Sequence, residues 1–228
     1  MTGVGTVRVT GSKSFTCREP FCRHTFRVPL GRRITLHVAP AAGWKLAKWA
    51  GGCNGTAASC SLRLRQTARV SVTFVPPGDR LNPYPLGVEV RLDGGWRLTV
   101  NSAIVDADPQ VEAVTDQHGH PLNPPPPAGE QYALVNVSLT YVAGGSSGVS
   151  GYVDYWLGAE GARKAQYRLA CTPPPLDLSA VPDLADSGQT VTGNLCFEVA
   201  SSDASTLMLF GTVTTPNDYY KTAYFALR

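Results

Sequence analysis

Apolar and polar residues alternate with a period of two along most of the first third of the chain. In "TVRVT" Val7 and Val9 fall on one face and Arg8 on the other. In "RITLHV" Ile34, Leu36 and Val38 oppose Arg33, Thr35 and His37. "TFRV", "SLRLR" and "RVSVTF" repeat the arrangement. Phe26 and Val28 stand against Arg27, Leu62 and Leu64 against Arg63 and Arg65, and Val70, Val72 and Phe74 against Arg69. Successive side chains of a strand point to opposite faces, so each segment reads as a β-strand with one face on a core and one in water. The same rule applied to "WKLAKWA" puts Trp44, Leu46 and Lys48 on one face and Ala47 and Trp49 on the other. The two rings are therefore expected on opposite sides of one strand. "GG" before Cys53 and "NG" after it mark a turn.

From Leu86 onward the alternating or apolar runs are longer: "GVEVRL", "WRLTVNSAIV", "EQYALVNVSLTYV", "YVDYWLGA", "QTVTGNLCFEV", "TLMLFGTV" and "TAYFALR". No helical period is sustained. About seven to nine strands separated by turn residues predict a β-sandwich. "NPPPPAG" and "TPPPLD" read as polyproline-type loops along its edge. Between the two patterns lies "PPGDRLNPYPLG", rich in proline and poor in periodicity. It predicts a module over 1–78, a Pro-rich linker over 79–86 and a sandwich over 87–228.

Composition agrees with a turn-rich all-β chain: 23 Gly and 18 Pro in 228 residues, with 43% hydrophobic and only 16% charged. No apolar run approaches the roughly 18–20 residues of a membrane-spanning helix. The net charge of +3 conceals a strong asymmetry. Residues 1–78 carry twelve Lys and Arg against one acid, Glu19, whereas 79–228 carry eight against sixteen acids. Arg8, Arg27, Arg63, Arg65 and Arg69 all fall on predicted solvent faces. They are either ordinary solvated positions that keep strand edges from aggregating or a basic surface for an anionic polymer.

The six cysteines, Cys17, Cys22, Cys53, Cys60, Cys171 and Cys196, show no C-x-x-C spacing. Pro20 lies between the first two and Asn54-Gly55 between the next two, which fits local disulfides Cys17–Cys22 and Cys53–Cys60. Cys171–Cys196 would then tie the second proline loop to "NLCFEV". A structural zinc site using the first four thiols is the alternative. An oxidised set implies an oxidising compartment. Loop entropy assigns about 2 kcal/mol to each short loop and about 3.5 to the long one, help that a small N-terminal domain needs.

The run "GTVRVTGS", the C-x4-C clip, "F-x-V-P-L-G-x-x-I-T-L-x-V-A-P-A-A-G" and "L-A-K-W-A-G-G-C…C…L…V-x-V-T-F" resembles the divergent InlB B-repeat-like bacterial repeat domain over residues 3–75. Its elements here are Gly31, Pro40, Gly43, Trp49, Gly51, Cys53, Cys60 and Phe74, with Lys48 at a position where glycine is expected. That resemblance implies a β-rich stalk or spacer at a cell surface, without catalysis. "NPYPLGVEVRLDGGWRLTVNSA", "PPPPAGEQYALVNVSLTY", "G-x-T-V-T-G-N-L-C-F-E-V" and the terminal "YFAL" resemble a family of Ig-like extracellular bacterial domains of unknown function. These are similar in fold to the mycobacterial immunoprotective secreted antigen. The elements are Gly87, Trp96, Gly129, Tyr132, Gly193 and Phe197, and the family implies lipoproteins or membrane-anchored proteins.

Motifs for chemistry are sparse. His118 and His120 in "DQHGHP" are two apart, a metal spacing with Asp116 if on a strand, but Gly119 and Pro121 argue for a loop. Asp106 with Asp108, and Asp183 with Asp186, are spaced like weak calcium ligands without a hand-type loop. No serine sits in a G-x-S-x-G elbow, and no glycine-rich phosphate loop precedes a helix. The basic half lacks any helix-turn-helix, finger or RNP motif.

The sequence thus predicts an all-β chain, a small β-rich repeat module followed by an immunoglobulin-like β-sandwich, clipped by disulfides. It predicts a secreted or cell-surface protein whose leader or anchor lies outside this sequence, non-catalytic, with no cofactor, metal or nucleic acid. The five arginines would attach to an anionic envelope polymer, such as a teichoic acid, an acidic polysaccharide or a phospholipid surface, and the sandwich would bind a partner such as a surface protein. A structural spacer whose basic and acidic halves dock on each other is the alternative, and an unrecognised enzyme the third.

Overall fold

In the computed structural model, which describes residues 1, 3–10, 14–18, 21–142, 148–181, 187–214 and 220–228, the alternating segments fold as antiparallel strands. They form two units, Met1–Asn82 and Pro83–Arg228. The first contains β1 (Gly5–Val9), β2 (Ser14–Cys17), β3 (Arg33–Pro40), β4 (Lys45–Gly51), β5 (Ser59–Arg63) and β6 (Val70–Val75). One sheet runs β2-β1-β3-β5, and β4 and β6 pair as a second. Val7, Val9, Leu36 and Val38 from the first sheet meet Trp49, Val72 and Phe74 from the second in one core. The inward and outward residues of β1, β3, β5 and β6 follow the period-two reading.

Two expectations for this unit are corrected. "TFRV" is not a strand: residues 23–30 have no regular structure. Pro29 removes a ladder donor, and β2 and β5 already form the edges of the sheet. Ring contacts hold the segment instead. His24 stacks on Phe15 at 4.5 Å and meets Phe26 edge-on at 4.7 Å. Nor do Trp44 and Trp49 lie on opposite sides of a core strand. β4 pairs Leu46 with Phe74, Lys48 with Thr73 and Trp49 with Val72, so Ala47 is an extra residue with no partner. This β-bulge resets the alternation. Trp49 is buried, and Trp44 and Leu46 pack against the same core.

Beyond the bulge the chain turns at Gly51 (φ +87°), where a Cβ would come within 2.4 Å of the Arg69 carbonyl oxygen, a position only glycine occupies without strain. The Trp49 backbone N–H donates to the Gly55 carbonyl (2.8 Å) and its indole N–H to that of Ala57 (2.7 Å). Cys53 joins Cys60 of β5, which links the strand pair to the larger sheet. Cys17 at the end of β2 joins Cys22. The Trp44–Cys60 stretch is therefore a strand and a clipped turn rather than a stacking site.

The expected linker 79–86 is held at both ends. The Asn82 amide donates to the Gly43 carbonyl at 2.8 Å in the first unit. Tyr84 in the second donates its N–H to Tyr224 and accepts from Ala226, adding a rung beside the last strand.

The second unit contains β7 (Glu89–Arg91), β8 (Trp96–Ile104), α1 (Asp108–Glu112), β9 (Glu130–Tyr141), α2 (Val149–Trp156), β10 (Gly158–Glu160), β11 (Gln166–Tyr167), β12 (Thr190–Ala200), β13 (Met208–Thr214) and β14 (Tyr220–Ala226). Two four-stranded sheets, β12-β9-β8-β7 and β11-β10-β13-β14, close over a core that includes Trp96, Leu98, Val135, Phe197, Leu209 and Phe225. Cys171, in the loop after β11, joins Cys196 of β12. "YVDYWLGA", read as a strand, is a correction: most of it is the end of α2, followed by β10. Val149, Tyr152 and Val153 are buried at helical spacing, a pattern too short to stand out beside the longer β runs. The molecule is all-β and disulfide-clipped, a small β module followed by a β-sandwich. No helix among the described residues is long and apolar enough to cross a membrane.

Candidate functional site: an arginine-bearing sheet face

The register of the β2-β1-β3-β5 sheet determines which polar side chains share its outer face. Arg8 stands opposite Ser14 on one side and His37 on the other, and His37 opposite Ser59. Thr35 and Ser61 share a hydroxyl hydrogen bond of 2.7 Å, and Thr6 and Thr16 one of 3.0 Å. Arg33 lies directly across from Arg63. Arg8, Arg33, His37 and Arg63 are all exposed. The face is a sheet of hydroxyls and cations.

Among the described residues none of these cations forms an ion pair. The ion pairs among the described residues, Arg97–Glu89 and His120–Asp116, both lie in the second unit. Of the two acids in 1–82, Glu19 is outside the described residues, and Asp79 accepts the Leu81 N–H within its own turn. The Arg63 Nε donates to the Gly31 carbonyl at 3.2 Å.

Of the five arginines singled out from the sequence, Arg8 and Arg63 are brought to this face. Arg27 is exposed on the irregular segment, Arg65 in the bend after β5, and Arg69 just before β6 in the other sheet. Arg33 and His37 belong to the face and were not singled out. The alternation in "RITLHV" already turned them outward, but their cross-strand neighbours come only from the register.

The outer face of β12-β9-β8-β7 is polar in another way. Asn101 donates to Asn136 (2.9 Å), Asn136 to Asn194 (2.8 Å), and Asn194 to the Pro174 carbonyl. Ser138 pairs with Thr192 at 2.8 Å and Thr140 with Thr190 at 2.7 Å. These amides and hydroxyls satisfy one another along the ladder.

The metal candidates are part of the local structure. The Asp116 carboxylate accepts the backbone N–H groups of His118 (2.8 Å) and His120 (2.9 Å), and its second oxygen lies 3.1 Å from His120 Nδ1. These bonds, that from the His120 backbone first, hold Asp116 below the usual carboxylate range. Asp108 accepts the Tyr132 N–H at 2.6 Å, and Asp106 is exposed. Asp183 and Asp186 lie outside the described residues. Among the described residues no three His, Cys, Asp or Glu side chains converge as a metal site. The buried carboxylates Asp203 and Glu160 accept phenol hydrogen bonds from Tyr167 (2.8 Å) and Tyr224 (3.1 Å).

No family model and no curated protein matches the chain. Among solved structures it is similar to the yjhA protein of Bacillus subtilis (12% identity, 63% of this chain and 99% of that one, TM-score 0.37). A conserved hypothetical protein of Bacillus anthracis is 10% identical, over 61% of this chain and 94% of that one, with a TM-score of 0.36. A functionally unknown protein of Listeria monocytogenes is 12% identical, over 64% and 85%, with a TM-score of 0.38.

Proposed function

We propose that the protein is a non-catalytic attachment module of the bacterial cell surface, in which the outer face of the first unit holds an anionic envelope polymer. The observation that carries this reading is the row of exposed cations Arg8, Arg33, His37 and Arg63 on one face, with no carboxylate partner among the described residues. Like charges opposed across two strands destabilise the pair, and a polyanion laid across them reverses that cost. Each arginine–phosphate or arginine–carboxylate contact is weak and screened, so affinity comes from their number. Three disulfides support an oxidising, extracytoplasmic location. Descent of the first unit from InlB B-repeat-like modules and of the second from Ig-like extracellular domains belongs to the same reading. The sandwich contributes a protein-binding surface, supported by the exposed Tyr155 ring beside a cavity of about 550 Å³ that Asp154 and Arg168 also line.

The test is co-sedimentation of the intact chain with teichoic-acid-bearing cell walls at about 50 and about 300 mM salt. The wild type is expected to pellet at low salt and to be released at high salt, and the triple variant Arg8→Ser, Arg33→Thr, Arg63→Thr to stay in solution at both. A triple variant that pellets as well as the wild type ends the proposal, as does a wild type that never pellets. If residues 1–78 pellet and the intact chain does not, the spacer with mutually docked halves is the better account.

A further inference from the structure

The first unit pairs a four-stranded sheet with one of only two strands, and a cleft runs along one side of the buried core between them. The cleft has a volume of about 640 Å³, within the roughly 300–1,000 Å³ of small-molecule sites. Its lining mixes polar and apolar side chains: Phe26, Ile34 and Leu62 are partly exposed in it, with Trp49 and Val72 buried behind them. Arg23, His24 and Arg69 also line it, and all three are exposed, so the charge sits at the mouth. No carboxylate is among the described lining residues.

That division of chemistry selects the ligand. A simple anion gains nothing from an aliphatic floor, and an uncharged hydrocarbon gains nothing from the guanidiniums. A single acyl chain with an anionic head uses both: the chain replaces water on the partly exposed Phe26, Ile34 and Leu62, and a carboxylate or phosphate takes charge-assisted hydrogen bonds at the rim. We infer that this cleft is a binding site for a single-chain acyl anion. A free fatty acid and the lipid end of an envelope amphiphile share that chemistry. The cleft is bounded by the inner faces of the sheets, so this inference does not rest on the polymer-binding outer face.

The probe is 9,10-dibromostearate, whose bromines quench tryptophan on contact, added to the intact chain. Trp49 lines the cleft, whereas Trp96 is fully buried in the second unit. Saturable quenching of part of the emission is expected, reversed by unbrominated stearate. Lysophosphatidylglycerol in place of stearate as competitor separates the two sources: the tighter competitor names the natural head group. Ala68→Phe, at an exposed lining position, narrows the cleft without touching the buried core and is expected to abolish quenching. Arg23→Glu with Arg69→Glu is expected to weaken binding by on the order of ten-fold, the loss of a charge-assisted bond. Arg8→Ser with Arg63→Thr is expected to leave quenching unchanged while cell-wall pelleting falls, so the two readings fail separately. Quenching that never saturates, or that survives intact in both the Ala68 and the rim variants, overturns the inference.

Discussion

Arg33 and Arg63 face each other directly across neighbouring strands, two exposed guanidiniums with no carboxylate partner among the described residues. Opposed like charges cost roughly 0.2–1 kcal/mol relative to a neutral pair. Arg33→Glu converts the clash into an ion pair. It is expected to raise the thermal midpoint of the first unit slightly at low salt, to lose that gain at high salt, and to weaken cell-wall pelleting. Stability and binding should move in opposite directions. A variant that is less stable at low salt would show that charge repulsion does not govern this pair.

In the sandwich, the Tyr152 ring packs against Trp96 with centroids 5.3 Å apart, and its phenol oxygen is buried with no partner among the described residues. Burial pushes its pKa far above the ordinary phenol value. Tyr152→Phe keeps the ring and removes the unsatisfied hydroxyl. It is expected to stabilise the second unit by about 1 kcal/mol, read as a higher denaturant midpoint with an unchanged slope. A loss of similar size would reveal a partner for the hydroxyl.

The Cys53–Cys60 bridge joins the two sheets of the first unit. Replacing both cysteines by alanine is expected to cost that unit about 2 kcal/mol, measured by calorimetry under oxidising conditions. The second unit's transition should not move, because its own bridge, Cys171–Cys196, is untouched.

Glu198 on β12 shares a hydrogen bond with Glu130 of β9, and that bond, followed by desolvation, raises the Glu198 pKa. The folded carboxyl holds its proton more tightly than the unfolded chain does. The pair's stabilisation is therefore complete below the ordinary value of 4.5 and is lost as pH rises through the raised folded value. Between about pH 4 and about pH 7 the wild type should lose stability relative to Glu130→Gln, in which the acid–acid pair is absent. Parallel melting curves over that range would refute the coupling.

Ala47 is the extra residue of the β4 bulge. Without it, Leu46, Lys48 and Trp49 become consecutive and keep their present partners Phe74, Thr73 and Val72 on the same sides. Deletion of Ala47 is expected to leave the first unit folded, within about 1 kcal/mol of wild type. Removing a residue from a regular core strand would instead turn its apolar side chains outward. Near-UV circular dichroism and the tryptophan emission maximum report the outcome, and a red-shifted, unfolded variant would contradict the bulge assignment.

That bulge marks where reading the chain by alternation stops working. The inward faces of β1, β3, β5 and β6 were legible because side-chain direction in a regular strand is a local property of the backbone. In β4 a single extra residue, which leaves no mark on polarity, reversed the assignment of Trp49. "TFRV" alternates as well as any strand and forms none, because a strand also needs a neighbour for its hydrogen bonds. α2 was hidden because Val149, Tyr152 and Val153 make only two helical turns within a chain dominated by longer β runs.

The sequence by itself determined the all-β character, the separation of a basic from an acidic region, and which arginines point to water. Each of these follows from residue type and a two-residue period. Only the tertiary structure decided which of those arginines become neighbours, that Arg33 and His37 join Arg8 and Arg63, and that a cleft runs beside the first core between unequal sheets. Those are relations between segments far apart in the chain, set by register and by strand count, and no local pattern encodes them.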